Sequence, residues 1–345
     1  MSVTGSGVSK EAVEWGFRLL AGRTPVNKDE FNAFLALPDL DAMRRAFTNI
    51  GGFHAFFDSA MTGAPTWRAP LFLLRPSEVQ GLEWRFQPPD LDNPVSQLCT
   101  AAQYAEPTYA EIVEAMGMYP APSRVLWEQA WIISVIATAG LIAPGKRGLG
   151  IETAHERIAA VAAARGVGIQ AIGRGVAGTH GAEARRTQLF HPEAVDLQNF
   201  DALVRFESLE PGETGRLAGS EFDFVWSVNL PARLGSVEAA MQAFETAMAA
   251  LRPGGVAAHA FTFNLTSDET TWEFPDLVIV RRRDVEALAA RLIAAGHSVL
   301  PLNTHPGHAP EDERVKSEPG NTPEHRQRHG LLVSTSFGLA IRKAG

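Results

Sequence analysis

Histidines and carboxylates are the side chains best suited to hold a metal ion or move protons, and several fall in one stretch near the C-terminus. Four histidines and three acidic residues make up this group: His305, His308, His325, His329, Glu311, Asp312 and Glu313. Only His325 and His329 have the i, i+4 spacing of two ligands on one helix face, and no further ligand pattern follows. Because proline and charged residues dominate the stretch, we interpret it as a surface loop and predict no metal site.

His259 is the other candidate for chemistry. It lies within Val256–Phe263, an apolar run that predicts a buried strand. A histidine in this position is either a catalytic or ligand-binding group or a core residue whose hydrogen bonds are satisfied. Ser334–Ser336, by contrast, lacks the strand–turn–helix context of a serine nucleophile. We therefore retain His259 alone as a catalytic candidate.

The bulk composition excludes several classes of protein. The 345 residues carry a net charge of −8, with 45% hydrophobic and 20% charged residues. The dispersed Lys and Arg residues do not form the basic surface of a nucleic-acid binder. Cys99 is the only cysteine, so the chain has no internal disulfide. Since Ala130–Ala143 is too short to span a bilayer and no secretory signal is recognisable, we expect a cytoplasmic protein without direct membrane insertion.

Composition and periodicity divide the chain into three regions. Residues 1–60 predict an all-helical module, residues 61–94 a linker rich in proline and tryptophan, and residues 95–345 an α/β domain. The predicted helices of the module are Lys10–Leu20, Asp29–Leu37 and Leu40–Ile50. Short apolar runs then alternate with helical segments, a pattern typical of βαβ units and a largely parallel sheet. The predicted strands are Arg147–Ile151, Gly168–Ile172, Val204–Phe206, Phe222–Val228, Val256–Phe263, Ser298–Leu302 and Ser334–Arg342, with a possible strand at Leu71–Leu74.

Two resemblances follow from these segments. The run from Phe17 to Arg23, with Asp29-Glu30 and Phe53, resembles a helical module of bacterial surface-glycan assembly proteins. A packing role for the same helices is the alternative. Residues 98–109, 125–133, 221–268, 279–297 and 334–343 together resemble bacterial class I S-adenosylmethionine (SAM) methyltransferases associated with glycan modification. This second resemblance implies a Rossmann-like class I methyltransferase sheet, with SAM as the cofactor.

The family's cofactor loop, Gly-x-Gly-x-Gly-Arg-Glu, is altered here. Only Gly150 and Glu156 match it, while Glu152 and Ala154 stand at the second and third glycines. Glycines in such a turn let the backbone approach the ligand closely. A Cβ at each altered position narrows that space, and a glutamate adds negative charge where the cofactor carboxylate is expected.

Two further departures concern the same expected pocket. The resemblance implies an acidic residue for the ribose hydroxyls at the end of the second strand, where this chain has Gly173 and Arg174. Relatives have Glu-His where this chain has Ala232 and Arg233. Glu210 lies near the position of an acidic residue close to the adenine, although an exposed loop acid is the favoured interpretation.

The leading hypothesis is therefore a methyltransferase-fold protein with an eroded SAM site. It would be non-catalytic and act as a binding or assembly subunit, as a homo-oligomer or with an active methyltransferase relative. The alternative is an active SAM-dependent methyltransferase acting on a saccharide or related metabolite. A third hypothesis, a different nucleotide ligand, rests on Gly173 and Arg174.

Overall fold

The computed structural model describes residues 7–21, 23–48, 50, 67–174, 181–209, 211–219, 221–315 and 325–345. The chain divides into two compact units, residues 1–66 with 329–331 and residues 67–328 with 332–345. No helix within the described ranges is long and apolar enough to cross a membrane.

The first unit contains the three predicted helices. They are α1 (Lys10–Leu20), α2 (Lys28–Leu35) and α3 (Leu40–Thr48). Each begins at a polar side chain that accepts a backbone hydrogen bond from the first turn, as helix N-termini require: Ser9, Asn27 and Asp39.

Three phenylalanines form the centre of this unit. The rings of Phe17, Phe34 and Phe47 pack in pairs with centroids 4.6 to 4.9 Å apart. Gly16 allows α1 to approach α3, because a Cβ there would lie 2.5 Å from the ring of Phe47. Burial of these rings gives the small unit a core of its own.

The second unit is built on a sheet that has eleven strands within the described residues. The strands are β1 (Trp84–Arg85), β2 (Ser96–Leu98), β3 (Arg147–Ile151), β4 (Gly168–Gly173), β5 (Val204–Ser208), β6 (Phe222–Val228), β7 (Leu251–Asn264), β10 (Ser298–Val299), β11 (Leu302–Asn303), β12 (Gln327–His329) and β13 (Leu332–Arg342). A separate hairpin consists of β8 (Glu273–Phe274) and β9 (Leu277–Val278).

The strand order is β1-β11-β2-β13-β7-β6-β3-β4-β5, with β10 and β12 also paired to β13. Strands β3 to β7 are mutually parallel, and β13 lies antiparallel between β7 and β2. Placing β3 inside the sheet, with later strands on both sides of it, is the doubly wound pattern. The predicted Rossmann-like α/β fold is confirmed.

Helices cover both faces of the sheet. They are α4 (Pro107–Ala115), α5 (Arg124–Thr138), α6 (Ile158–Ala163), α7 (Gly181–Gln188), α8 (Leu197–Leu203), α9 (Leu230–Leu234), α10 (Val237–Ala247), α11 (Arg282–Ala294) and α12 (Pro310–Glu313). Alternate strand residues point to opposite layers, as the pleat requires. In β6, Val225 packs with residues of α10 and α11, whereas Phe224 and Trp226 pack with residues of α5 and α6.

Proline changes two of the predicted strands. Pro301 has no N–H, and it divides the predicted strand Ser298–Leu302 into β10, paired with β13, and β11, paired with β2. The possible strand at Leu71–Leu74 is instead a 3₁₀ turn, Leu71–Leu73, entered from Pro70.

The sequence Arg252-Pro253-Gly254-Gly255, whose composition is typical of a turn, lies inside β7. Pairing with β6 shifts between Phe222 and Phe224, so these four residues form an irregularity in the strand pair. Gly254 has a φ of +74°, which glycine adopts without strain. The strand therefore begins at Leu251 rather than at the predicted Val256.

Candidate functional site

The carboxyl ends of four parallel strands lie next to one another and define the candidate site. Strands β3, β4, β6 and β7 end at Ile151, Gly173, Val228 and Asn264. Ligands of doubly wound sheets bind just beyond such ends. The loop Glu152–Glu156, called the Glu152 loop below, follows β3 at this edge.

Glu152 has a backbone conformation that is ordinarily reserved for glycine. Its φ is +51°, in the left-handed region, where a side chain costs about 1–2 kcal/mol. The residue is only 4% exposed. Its Oε1 accepts a hydrogen bond of 2.8 Å from the backbone N–H of Arg174, just after β4. The Glu152 side chain therefore fills space at the end of β4.

Gly150 has a packing function. A Cβ at this position would lie 2.4 Å both from Cγ2 of Thr153 and from the ring of Trp226. Trp226 is fully buried in β6, next to β3. The missing side chain at Gly150 therefore lets the indole pack against β3, and a cofactor contact there stays a prediction.

Glu156 is buried with one oxygen unpaired. Its Oε2 accepts a hydrogen bond of 2.8 Å from the N–H of Ala154 and lies 4.0 Å from Nη2 of Arg233. Its Oε1 has no hydrogen-bond partner among the described residues. Burial raises the pKa of Glu156, and the Arg233 guanidinium opposes that shift.

Arg233 also affects the pKa of a second buried carboxylate. Glu128 on α5 accepts a hydrogen bond from the Ser336 hydroxyl, and burial raises its pKa while Arg124 and Arg233 oppose the shift. Arg233, which replaces the histidine of the family pair, also donates from Nε to the carbonyl of Val228 at 3.3 Å. The sequence predicted that Arg233 departs from the family pair, but not that its guanidinium lies 4.0 Å from the buried Glu156 carboxylate.

Of the remaining predicted residues, Gly173 lies against the Glu152 loop, whereas His259 is buried within β7. Gly173 lies beneath Glu152, where a Cβ would be 3.4 Å from the Glu152 Cα. Glu210 lies outside the described residues. His259 is fully buried, its Nδ1 lies 2.9 Å from Oγ of Ser227, and its ring stacks on Phe244 with centroids 4.1 Å apart. Burial lowers the pKa of His259 to about 3, so the ring is neutral, but its Nε2 has no hydrogen-bond partner among the described residues and the choice between the two interpretations stays open.

The interpretation of the C-terminal histidine stretch as a surface loop was wrong for two of its residues. Asp312 is buried, the side chain of His325 is only 9% exposed, and His325 Nε2 lies 2.6 Å from Oδ1 of Asp312. Asp312 also accepts hydrogen bonds from the N–H groups of Ala101, at 2.9 Å, and Ala309, at 3.0 Å. Burial alone would raise the pKa of Asp312, but the hydrogen bond from His325 and these N–H donors hold it below its usual value.

The other ring nitrogen of His325 faces two more groups. Nδ1 lies 3.5 Å from the Tyr104 hydroxyl and 3.7 Å from Sγ of Cys99. Burial raises the pKa of the fully buried Cys99 thiol and lowers that of His325. The cysteine is thus held as a neutral thiol, which is a poor nucleophile.

A cavity of about 380 Å³ lies beside this group. Its lining includes Ala101, Ala102, Tyr104, Ala105, Pro122 and His325. Two other cavities, of about 570 and 280 Å³, lie against α10 and α11 and around residues 85–97. None of these three is lined by a residue of the Glu152 loop. Among the described residues, no three His, Cys, Asp or Glu side chains are grouped so as to hold a metal ion.

The comparisons with known proteins give structural similarity without sequence similarity. No protein-family model and no curated protein sequence matches the chain. An O-methyltransferase family protein from Burkholderia thailandensis is 12% identical, with a TM-score of 0.39, over 85% of this chain and 71% of that one. A SAM-dependent methyltransferase from Methanosarcina mazei is 11% identical, with a TM-score of 0.38, over 60% of this chain and 97% of that one.

A third solved structure is a magnesium protoporphyrin IX methyltransferase from Synechocystis with bound S-adenosylhomocysteine (SAH). It is 9% identical, with a TM-score of 0.39, over 64% of this chain and 86% of that one. These TM-scores are too low to carry an argument. The fold assignment rests on the strand order of the sheet itself.

Proposed function

We propose that this chain is a methyltransferase-fold protein that works by binding rather than by methyl transfer. The supporting observation is that Glu152 fills the end of β4 with a side chain where the resembling family has glycine. The Glu152 carboxylate is buried and already accepts the N–H of Arg174. A cofactor seated there must displace that carboxylate, break its hydrogen bond and leave a buried charge in a new environment.

The neighbouring charges support the same proposal. Burial raises the pKa of Glu156 and of Glu128 and the Arg233 guanidinium opposes both shifts, while Oε1 of Glu156 has no hydrogen-bond partner among the described residues. A cofactor carboxylate brought close to these acids would meet like charges in a low-dielectric setting. The Glu152 side chain thus takes the place of a ligand at the end of β4.

Titration of the full chain with SAM and SAH by calorimetry tests the proposal. We expect no binding by the natural sequence and measurable binding by Glu152→Gly, with a further gain in Glu152→Gly/Gly173→Asp. Glu221→Gly is the matched control, because Glu221 also has a left-handed backbone, with a φ of +55°, but is exposed. Micromolar affinity for SAM in the natural sequence would contradict the proposal.

A second candidate function is methyl transfer to a saccharide or related metabolite. The observation that favours it is the position of the Glu152 carboxylate, at the end of β4 where the family resemblance places an acid for the ribose hydroxyls. Glu152 would then supply this group from the neighbouring loop. In that case SAM binds the natural sequence, and Glu152→Gln weakens binding instead of strengthening it.

We further propose that the chain serves as a subunit beside an active methyltransferase in surface-glycan biology. Support for this comes from the two sequence resemblances, of the helical module and of the α/β domain. Affinity capture from the native cell should recover a methyltransferase whose turnover changes when this chain is added. Recovery of this chain alone would count against it.

A further inference from the structure

We infer that the 380 Å³ cavity beside Tyr104 binds a small, largely apolar molecule carrying one hydroxyl group, which exchanges a hydrogen bond with the Tyr104 hydroxyl. The cavity, called the Tyr104 cavity below, is separate from the Glu152 loop. Ligand binding in this cavity therefore does not depend on whether SAM binds at the Glu152 loop.

The shape and lining of the Tyr104 cavity suit a small ligand. Its volume falls in the range of small-molecule sites, which pair apolar walls with a few placed polar groups. Ala101, Ala102 and Ala105 supply short side chains, and Pro122 adds another apolar wall. Tyr104 and His325 bring hydrogen-bonding groups to this lining, and Glu311 also borders the cavity.

The contact with Asp312 determines which nitrogen of His325 carries a proton. An ionised carboxylate only accepts hydrogen bonds, so His325 must donate to it from Nε2 across 2.6 Å. A neutral His325 then has an acceptor at Nδ1, which faces the Tyr104 hydroxyl at 3.5 Å. The Tyr104 hydroxyl can donate to that nitrogen, and its oxygen can accept a hydrogen bond from the neutral Cys99 thiol, 3.2 Å away, as well as from a ligand O–H.

Fixed surroundings hold His325 in this orientation. Asp312 is anchored by the N–H groups of Ala101 and Ala309, and the carbonyl of His325 accepts the Thr335 hydroxyl at 2.9 Å. Such support gives a binding group one orientation before the ligand arrives. Cys99, whose Sγ lies 3.2 Å from the Tyr104 hydroxyl, is fully buried and closes the group on its inner side.

Calorimetry of the full chain with two matched probes tests the inference. The probes are 2-naphthol and 2-methoxynaphthalene, which share a ring system but differ in the hydroxyl proton. We expect 2-naphthol to bind about ten-fold more tightly, the ratio that corresponds to one good hydrogen bond. Equal affinities, or no binding of 2-naphthol at millimolar concentration, would overturn the inference.

Three variants locate the binding. Tyr104→Phe should weaken 2-naphthol binding about ten-fold and leave 2-methoxynaphthalene unaffected. Ala105→Leu, which fills part of the cavity, should weaken both probes. Tyr119→Phe is the control, because Tyr119 is 83% exposed and lies outside the cavity lining. If Tyr104→Phe and Tyr119→Phe bind 2-naphthol alike, the cavity is not the site; the Tyr104 result decides this even if the leucine variant does not fold.

Discussion

The Glu152 loop and the Tyr104 cavity both follow strand ends of the same sheet, but their side chains are used in opposite ways. At the Glu152 loop, Glu152 stands where the resembling family has glycine, and the carboxylates of Glu152 and Glu156 accept N–H groups of the adjacent backbone. At the Tyr104 cavity, short alanines leave volume free, and the buried Asp312 orients a histidine on the cavity wall. The buried Glu152 carboxylate fills the space at the end of β4, whereas the buried Asp312 carboxylate supports the wall of an open cavity.

Among these residues, substitution of Asp312 should change the free energy of unfolding most. Asp312→Asn should lower the free energy of unfolding by about 3–5 kcal/mol, because it leaves the buried Arg326 guanidinium, 3.8 Å away, without a compensating charge. Urea denaturation measures this change. Glu313→Gln, at an exposed position one residue later, is the control and should have almost no effect. A small effect at Asp312 would mean that the charge does not support the Tyr104 cavity.

A glycine next to this carboxylate should be the next most sensitive position. Gly307 has a φ of +82°, and a Cβ there would lie 2.0 Å from Oδ2 of Asp312. Gly307→Ala should therefore destabilise by about 1–2 kcal/mol from backbone strain, plus the cost of moving the carboxylate. Gly145→Ala isolates the strain, since Gly145 has a φ of +83° and open space around it. Equal unfolding midpoints for the two variants would contradict the expected clash.

The acids at the Glu152 edge should act oppositely to Asp312 as pH changes. A raised pKa in the folded state means that the folded protein binds protons more readily than the unfolded chain, so stability falls as pH rises through the folded pKa. Glu156→Gln should therefore be more stable than the natural sequence at about pH 8, by a margin that shrinks as the pH is lowered.

Denaturation at a series of pH values measures that margin. For Asp312 the sign is reversed, because its folded pKa is lowered: its contribution is present above the unfolded pKa and is lost as the pH falls through the folded pKa. Glu111→Gln, at an exposed position on α4, is the control for Glu156 and should show no pH-dependent difference. A margin for Glu156→Gln that grows on acidification would contradict the assignment.

The smallest effect is expected for the left-handed glutamates. Glu221→Gly should stabilise by up to about 1 kcal/mol through relief of backbone strain. Glu152→Gly should gain less, because it also loses the hydrogen bond to the Arg174 N–H, worth about 1 kcal/mol. Thermal unfolding of the two variants compares them directly. A larger gain at Glu152 would mean that its carboxylate strains the edge of the sheet.

Periodicity and apolar runs were enough to predict the sheet, because a strand such as Phe222–Val228 is buried along its whole length. They could not place the division at Pro301, which depends on which neighbour each half of the strand pairs with. The difference between Glu152 and Ala154 and the glycines of the resembling family was visible in the sequence. The direction of the Glu152 side chain was not, since it is set by the N–H of Arg174, just after β4.

The Tyr104 cavity was missed for a different reason. Tyr104 and His325, which both line it, are more than two hundred positions apart in the chain, and the pairing of β2 with β13 brings them together. The histidine stretch was judged by local composition, which is polar, and the burial of Asp312 is a tertiary effect. The one available signal was the presence of an Asp and a His among charged neighbours, which alone is too common to indicate a site.

The left-handed backbone at Glu152 has an evolutionary consequence. The loop keeps a conformation in which glycine fits without strain, so the exchange between glutamate and glycine requires no remodelling of β3 or of its neighbours. Glutamate and glycine codons can differ by a single base. One point mutation can therefore remove or restore the space at the end of β4. Related sequences could exchange glutamate and glycine at this position in either direction while the sheet stays the same.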